Sequence, residues 1–189
     1  APMGRFDFYV LSLSWSATFC DLSGERRGNP QCEPGRNPGF VVHGLWPQYE
    51  RGYPAFCSPD GRNPTRNALD IAERVLPTLG LARHQWRKHG TCSGLTQYNY
   101  FTQALNVQQR YPTPAILQAN IGGTVAASDL RTAMGGADKV ALQCTSGKYV
   151  VGAYSCWSQK DGIPQGLVTC PTDVQGEDTC TSASLIIRS

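Results

Sequence analysis

The chain has 189 residues, of which 40% are hydrophobic and 16% charged, with a formal net charge of +3 at pH 7. This length and composition predict a single folded domain over residues 1–189 and exclude both a disordered chain and two domains of ordinary size. The small positive charge is compatible with a polyanionic ligand but does not identify one. No apolar run approaches the roughly 20 residues of a membrane-spanning helix, so we expect no membrane association.

The first half of the chain predicts two strands followed by helices. Residues 6–15 and 40–43 are rich in bulky residues that favour strands, and the segment 21–39 between them is a loop rich in glycine and proline. Asn67 is expected to cap a helix over residues 68–76. A second helix is expected over residues 80–89, ended by Gly90 in the left-handed conformation.

The second half predicts helices and then short strands. We expect a helix over residues 95–110, a short one opened by Thr113 and Pro114, and one over 129–134 capped by Ser128. The strands that follow are predicted at residues 139–144, 149–157 and 184–187. The chain is therefore expected to form an α+β fold in which several helices flank a central antiparallel sheet.

The eight cysteines predict disulfide bonds. Zinc sites usually contain cysteines two to four residues apart, whereas the nearest two here are Cys170 and Cys180. We therefore expect a disulfide-stabilised protein of an oxidising compartment, secreted or periplasmic, with no metal. The spacing alone leaves the pairing open.

All three histidines lie in two short motifs, His43-Gly44-Leu45-Trp46-Pro47 and His84-Gln85-Trp86-Arg87-Lys88-His89-Gly90. Imidazole titrates at about pH 6.5, so two histidines that face one substrate can act as acid and base. On a helix, the polar residues of the second motif are expected to share one face, which would suit a phosphate. Cleavage of RNA by internal transfer needs a base, an acid and positive charge near phosphorus, and the motifs supply these without a metal or cofactor.

Each part of this pattern also has an ordinary structural explanation. His43 could be a buried histidine with satisfied hydrogen bonds, and Trp46 could belong to the core. Arg87 and Lys88 could lie on a solvated helix face. The concentration of every histidine in two short motifs favours the catalytic interpretation.

Together the motifs resemble the two active-site signatures of the ribonuclease T2 family, His-Gly-Leu-Trp-Pro and His-Glu-Trp-x-Lys-His-Gly-Thr-Cys, here at residues 43–47 and 84–92. Residues 9–15 also resemble the family's first strand, and the spacing of the last four cysteines fits. The resemblance implies a ribonuclease T2-like endoribonuclease that cuts single-stranded RNA with little base preference, through a 2′,3′-cyclic phosphate and without a metal. We expect a monomer.

The resemblance implies a role for each motif residue. His89 would be the general base on the 2′-hydroxyl, and His43 the general acid for the leaving 5′-oxygen. Lys88 would stabilise the phosphorane and His84 would bind the phosphate. Trp46 would stack on the base 5′ of the cut, a contact worth about 1 to 3 kcal/mol in other systems. Further candidates for this base pocket are Gln48, Tyr53 and Phe56.

The resemblance also implies a disulfide pairing. It joins Cys57 to Cys92, Cys144 to Cys180 and Cys156 to Cys170, and it leaves Cys20 to pair with Cys32.

The chain departs from the second signature at Gln85, where the family has glutamate. Glutamine keeps the size and the hydrogen-bonding capacity but carries no charge, so the site becomes more positive. We expect reduced but real activity. The alternative is a catalytically impaired RNA-binding relative. A purely structural module held by disulfides would leave the histidine grouping unexplained.

Overall fold

The computed structural model describes residues 2–19, 39–58 and 62–189, so the expected pairing of Cys20 with Cys32 lies outside the described residues. The chain forms two compact units. The first comprises Ala1–Ser12, Val42–Tyr111 and Cys156–Val168, and the second comprises Leu13–Val41, Pro112–Ser155 and Thr169–Ser189. The single domain expected from the sequence remains a prediction.

The described residues form seven strands and seven α-helices, in the α+β composition expected. The strands are β1 (Phe8–Trp15), β2 (Phe40–Gln48), β3 (Thr124–Ala126), β4 (Val140–Thr145), β5 (Tyr149–Lys160), β6 (Ile163–Leu167) and β7 (Ser184–Ile186). The helices are α1 (Ser16–Phe19), α2 (Arg66–Ala72), α3 (Leu79–Lys88), α4 (Gln97–Arg110), α5 (Ala115–Ala119), α6 (Ala127–Ala133) and α7 (Thr172–Gln175). None of these helices is long and apolar enough to cross a membrane.

The strands are hydrogen-bonded in the order β2-β1-β5-β7-β3, and β4 and β6 also pair with β5. In the first unit β5 is antiparallel to β6, and in the second unit β4 is antiparallel to β5 and β3 to β7. One pair differs from the antiparallel sheet expected, because β7 runs parallel to β5 where Tyr149 meets Ile186. Parallel neighbours need a long connection, and β6 and α7 lie between these two strands in the chain.

Threonines that were not predicted as caps begin three of the helices. Thr65 caps α2, where Asn67 was expected, and its hydroxyl accepts a hydrogen bond from the Ala68 amide. Thr78 and Thr96 cap α3 and α4 in the same way. Ser128 does not cap α6, which starts earlier than expected, after Ala126.

Two differences from the predicted elements affect the histidine motifs. The strand expected over residues 40–43 continues to Gln48, so the whole first motif is extended backbone on β2. The second motif occupies the carboxyl-terminal half of α3, as expected, and His89 is the C-cap residue of that helix. Strands β3 and β6 and helices α1 and α7 were not predicted.

Buried hydrogen bonds fix β2 and β1 in the first unit. The Tyr100 hydroxyl of α4 donates to the Leu45 carbonyl at 2.5 Å, and Tyr100 is 1% exposed. The Tyr9 hydroxyl of β1 donates to the Gly162 carbonyl at 2.7 Å. Burial holds the pKa of both phenols far above the ordinary value, so both stay protonated donors. The Tyr100 bond therefore anchors the first motif directly, at Leu45, while the Tyr9 bond anchors the neighbouring strand β1.

The second unit is held by one arginine and a disulfide. Arg131 donates twice to the Asp178 carboxylate, at 3.1 and 2.8 Å, and also to the Cys180 carbonyl. The same carboxylate accepts the Leu142 amide at 3.0 Å. Cys180 is bonded to Cys144, as the resemblance implied. A partly buried bidentate pair of this kind resists solvent screening better than an exposed one.

Gly90 has a structural role other than the left-handed cap expected from the sequence. Its φ is not positive, and it opens a 3-10 turn over Gly90–Cys92. A Cβ atom there would collide with the Trp86 ring and lie 2.9 Å from the Tyr100 ring. Glycine is therefore required because two aromatic rings pack onto the backbone.

Gly90→Ala should lower the free energy of unfolding by roughly 1 to 3 kcal/mol, because the added methyl group overpacks this contact. Gly80→Ala is the matched control, since Gly80 lies in α3 and a Cβ atom added to it would have no neighbour within 4 Å. It should raise stability by up to about 1 kcal/mol through helix propensity. Urea unfolding measures both, and equal effects at the two positions would contradict the packing explanation.

Candidate active site

The two histidine motifs meet in the first unit through β2 and α3. On β2, His43 is exposed while its neighbours Val42 and Gly44 are buried, because side chains alternate across a strand. On α3, His84 is exposed and Lys88 half-buried. His89, which follows the helix, is only 5% exposed.

Gln85 does not lie on the exposed polar strip that the sequence suggested. Its side chain is 2% exposed, and its Oε1 accepts a hydrogen bond from Trp46 Nε1 at 2.7 Å. Gln85 therefore points to the buried side of α3, beside Trp86, and the exposed strip keeps only His84 and Lys88. The helical angle from His84 to Gln85, about 100°, is large enough for this separation.

Gly44 makes the Trp46–Gln85 contact possible. A Cβ atom at residue 44 would collide with the Gln85 amide and with Trp46 Nε1. The glycine of the first motif thus leaves the space in which indole and amide meet.

The Trp46 indole contacts both imidazoles of the proposed acid–base pair. Its ring stacks on His89, with centroids 5.1 Å apart and planes inclined by 23°. It meets His43 edge to face, with ring centroids 6.3 Å apart and planes inclined by 87°. The half-buried Trp46 therefore has one face against His89, and the stacking on an RNA base that the resemblance implied would need the other face.

Burial and neighbouring cations keep His89 neutral. Its pKa is lowered to about 3, mainly by desolvation and then by positive charge on Lys88, His84 and His43, in that order of importance. Among the described residues, none bonds to its buried Nδ1 atom. A neutral imidazole is in the protonation state that a proton acceptor requires.

His43 is shifted in the same direction. Although its side chain is exposed, surrounding protein removes part of its hydration, and this desolvation is the main cause that lowers its pKa from 6.5. The charge of His84 adds to the effect. Protonated His43, the form that an acid catalyst needs, is therefore favoured at acid pH.

The loop that carries Tyr53 and Phe56 lies against the end of α3. The Phe56 amide donates to the Lys88 carbonyl at 2.8 Å, and the Lys88 ammonium lies 5.7 Å from the centre of the Tyr53 ring. Tyr53 also approaches His89, at 6.3 Å between ring centroids. Tyr53 and Phe56 are 52% and 58% exposed, so both present aromatic surface to solvent beside the histidines.

The remaining base-pocket candidate, Gln48, is half-buried at the end of β2, and its carbonyl accepts the Asp7 amide at 2.8 Å. Among the described residues, its side chain makes no hydrogen bond to the histidines.

A disulfide joins this loop to the helix. Cys57 and Cys92 are bonded, as the resemblance implied, and the Cys57 amide donates to Thr91 Oγ1 at 3.1 Å. Thr91 in turn donates to the Arg87 carbonyl at 3.0 Å. The sequence predicted no role for Thr91 or Tyr100; the only signal for Thr91 was its place in the second signature. Cys156 and Cys170 are also disulfide-bonded.

In the part of the chain that the structure describes, no three His, Cys, Asp or Glu side chains are grouped closely enough to hold a metal ion. What the site does assemble is three imidazoles, an ammonium and two exposed aromatic rings.

The free energy of unfolding should fall as the pH is lowered from about 6.5 toward 3. His89 is protonated near pH 6.5 in the unfolded chain but only at about pH 3 in the folded protein. The stabilising contribution of neutral His89 is therefore fully present above pH 6.5 and is lost progressively as the pH falls below it. The slope should reach up to about 1.4 kcal/mol per pH unit for one such group, and His43 acts in the same direction.

Urea unfolding between about pH 7 and pH 5 tests this, and His89→Asn should flatten the dependence. His84→Asn is the comparison variant: it removes only a secondary charge effect on His89, so it should change the slope far less than His89→Asn. If His89→Asn left the slope unchanged, other groups would account for it.

Comparison with known proteins places this fold and site in a family. The model of the ribonuclease T2 family matches residues 6–164 of the chain. A ribonuclease of Aeromonas hydrophila is 33% identical over 202 residues, which cover 98% of this chain and 87% of that protein. Ribonuclease DdI of Dictyostelium discoideum is 29% identical, over 92% of this chain and 81% of its own.

Solved structures share the fold. RNase NT in complex with 5′-AMP has a TM-score of 0.75 at 22% identity, covering 97% of this chain and 98% of its own. Ribonuclease MC1 from the seeds of bitter gourd has a TM-score of 0.72 at 23% identity, and the match covers 96% of this chain and 100% of that chain. With a family model that spans most of its length and the Aeromonas ribonuclease as a full-length relative, the chain belongs to the ribonuclease T2 family.

Proposed function

We propose that the protein is a metal-independent endoribonuclease that cleaves single-stranded RNA by transphosphorylation, through a 2′,3′-cyclic phosphate. The observation that carries this proposal is the grouping of His43 and the buried His89 against the two sides of one indole, Trp46, with Lys88 directly before His89 in the chain. Family membership supports it independently, since relatives from several organisms are named ribonucleases.

In this mechanism His89 removes the proton of the 2′-hydroxyl as the 2′-oxygen bonds to phosphorus. The bond from phosphorus to the 5′-oxygen breaks, and protonated His43 gives its proton to that oxygen. Lys88 stabilises the negative charge that builds on the phosphorane, and His84 binds the phosphate from the exposed side of α3. No bond-making step requires a further group.

The aromatic surface beside the histidines favours a single strand as substrate. Tyr53 and Phe56 are exposed next to Lys88, where unstacked bases of a single strand can pack on their rings. Trp46 already stacks on His89, so Tyr53 and Phe56 are the exposed rings of this surface. RNase NT was solved with 5′-AMP and a variant of RNase MC1 with 5′-GMP, which is consistent with different bases being accepted in this fold.

We further propose that the protein acts as a monomer in an oxidising compartment, secreted or periplasmic. Its disulfides support the compartment, because thiols stay reduced in the cytosol.

The first test is cleavage of a single-stranded RNA oligonucleotide in the presence of EDTA, with the product ends identified. We expect 2′,3′-cyclic phosphate ends, formed faster at acid pH than at neutral pH because protonated His43 is the acid. His43→Ala, purified in parallel, should lose at least about a hundredfold in rate and also controls for contaminating ribonucleases. Persistent cleavage by this variant, or cleavage abolished by EDTA, would overturn the mechanism.

Gln85→Glu should raise the rate by roughly ten- to a hundredfold. The carboxylate still accepts the Trp46 bond, while its charge raises the pKa of His89 and makes that imidazole a stronger base. The acid limb of the pH profile should therefore move to higher pH.

Gln85→Leu is the control for the hydrogen bond. It removes the acceptor without adding charge and should lower both activity and stability. No gain with glutamate would show that Gln85 is a fully competent residue in this site. RNA that stays intact with both the natural chain and Gln85→Glu, yet is bound, would identify an RNA-binding relative without turnover.

A further inference from the structure

The solvent-facing side of α3 is almost entirely basic. Arg83, Arg87, His84 and Lys88 lie within about 140° of arc on this helix, and each is exposed or half-buried. The opposite side carries the buried residues Ala82, Gln85 and Trp86. Arg83 and Arg87 thus form a ridge directly beside the His84–Lys88 ridge of the candidate site. We call Arg83 and Arg87 the arginine ridge.

No acidic side chain neutralises this ridge among the described residues. The two salt bridges among the described residues join Arg131 to Asp178 and Lys139 to Asp138, and neither involves α3. Helix α3 itself contains no acidic residue. Arg87 is held instead by a neutral group, since its Nη1 donates to Asn63 Oδ1 at 2.8 Å. That bond fixes the guanidinium while leaving its charge and other donors available.

Helix electrostatics account for only part of this arrangement. Cations in the last turn stabilise the carboxyl-terminal end of a helix, which explains Arg87 and Lys88. Arg83 is the fifth of the ten residues of α3, too far from the end for this effect. Two arginines one turn apart, with Cβ atoms about 5 to 6 Å from each other, instead present a row of fixed positive charge.

We propose that the arginine ridge binds the phosphodiester backbone of an RNA strand beyond the nucleotides that flank the cut. This inference rests on the proposed function, because the ridge continues the phosphate-binding strip of His84 and Lys88. Guanidinium groups pair with phosphate oxygens through two parallel hydrogen bonds. Arg83 and Arg87 are half-buried and have no acidic partner among the described residues, so both are available for such pairs. The ridge lies outside the acid–base group. It raises the affinity for longer RNA strands without distinguishing their base sequences.

The ridge is tested with substrates of two lengths. For Arg83→Gln combined with Arg87→Gln, kcat/KM on a dinucleotide should stay within about twofold of the natural chain. On an RNA of about twelve nucleotides it should fall roughly five- to twentyfold at low salt, through KM. The slope of log KM against log salt concentration should decrease by about 0.7 for each phosphate that the variant no longer neutralises.

Two further variants separate charge from structure. Arg83→Lys with Arg87→Lys keeps the charge and should retain most of the salt slope. Lys160→Gln removes one exposed charge from β5 and should leave the length dependence unchanged. Equal losses on both substrates, or no loss on the longer one, would overturn the inference.

Binding distinguishes a failure of this inference from a failure of the proposed function. Fluorescence anisotropy with a 2′-deoxy oligonucleotide, which lacks the attacking hydroxyl, reports the ridge without turnover. Weaker binding by the double glutamine variant supports the ridge even if the natural chain cuts no RNA, and unchanged binding overturns it.

Discussion

The hydrogen bond from the Trp46 indole to the buried Gln85 amide is the contact on which the candidate site depends. It joins the first motif on β2 to the second on α3, and it fixes the plane of an indole that touches both His43 and His89. A buried N–H without an acceptor costs about 1 to 3 kcal/mol, so the bond is also a constraint on stability. The spatial relation of the two imidazoles follows from one aromatic ring held at its polar edge.

Other residues serve this contact by leaving space or by fixing backbone. Gly44 leaves room for the indole and the amide, and Gly90 lets Trp86 and Tyr100 pack onto the end of α3. Tyr100 then holds β2 through the Leu45 carbonyl. The cost of this dense packing falls on His89, which is buried with cations around it and therefore stays neutral. The role of base that we propose for His89 thus follows from how the core is filled.

The grouping of the two histidine motifs in one site could be predicted from the sequence, whereas the direction of Gln85 could not. Helical periodicity places residues 84, 85, 88 and 89 within one broad arc, and it does not tell which edge of the arc faces the core. That choice is made by Trp46, a partner 39 positions away in the chain. The prediction for Gly90 was wrong for a similar reason, because its sequence context matches a helix cap while it serves to let the Trp86 and Tyr100 rings pack on the backbone. Local capping was misplaced at Asn67 and Ser128, since neighbouring residues compete for the same role.

The position of the loop that carries Tyr53 and Phe56 depends on the oxidation of the Cys57–Cys92 bond. The loop with Tyr53 and Phe56 is covalently tied to the end of α3 by two sulfurs whose residues are 9% and 0% exposed. A dissolved reductant reaches such a bond only when the end of the helix opens, so its exchange with the surrounding thiol pool is slow. We therefore expect the bond to form before the end of the helix is packed, and to be reduced slowly once it is buried.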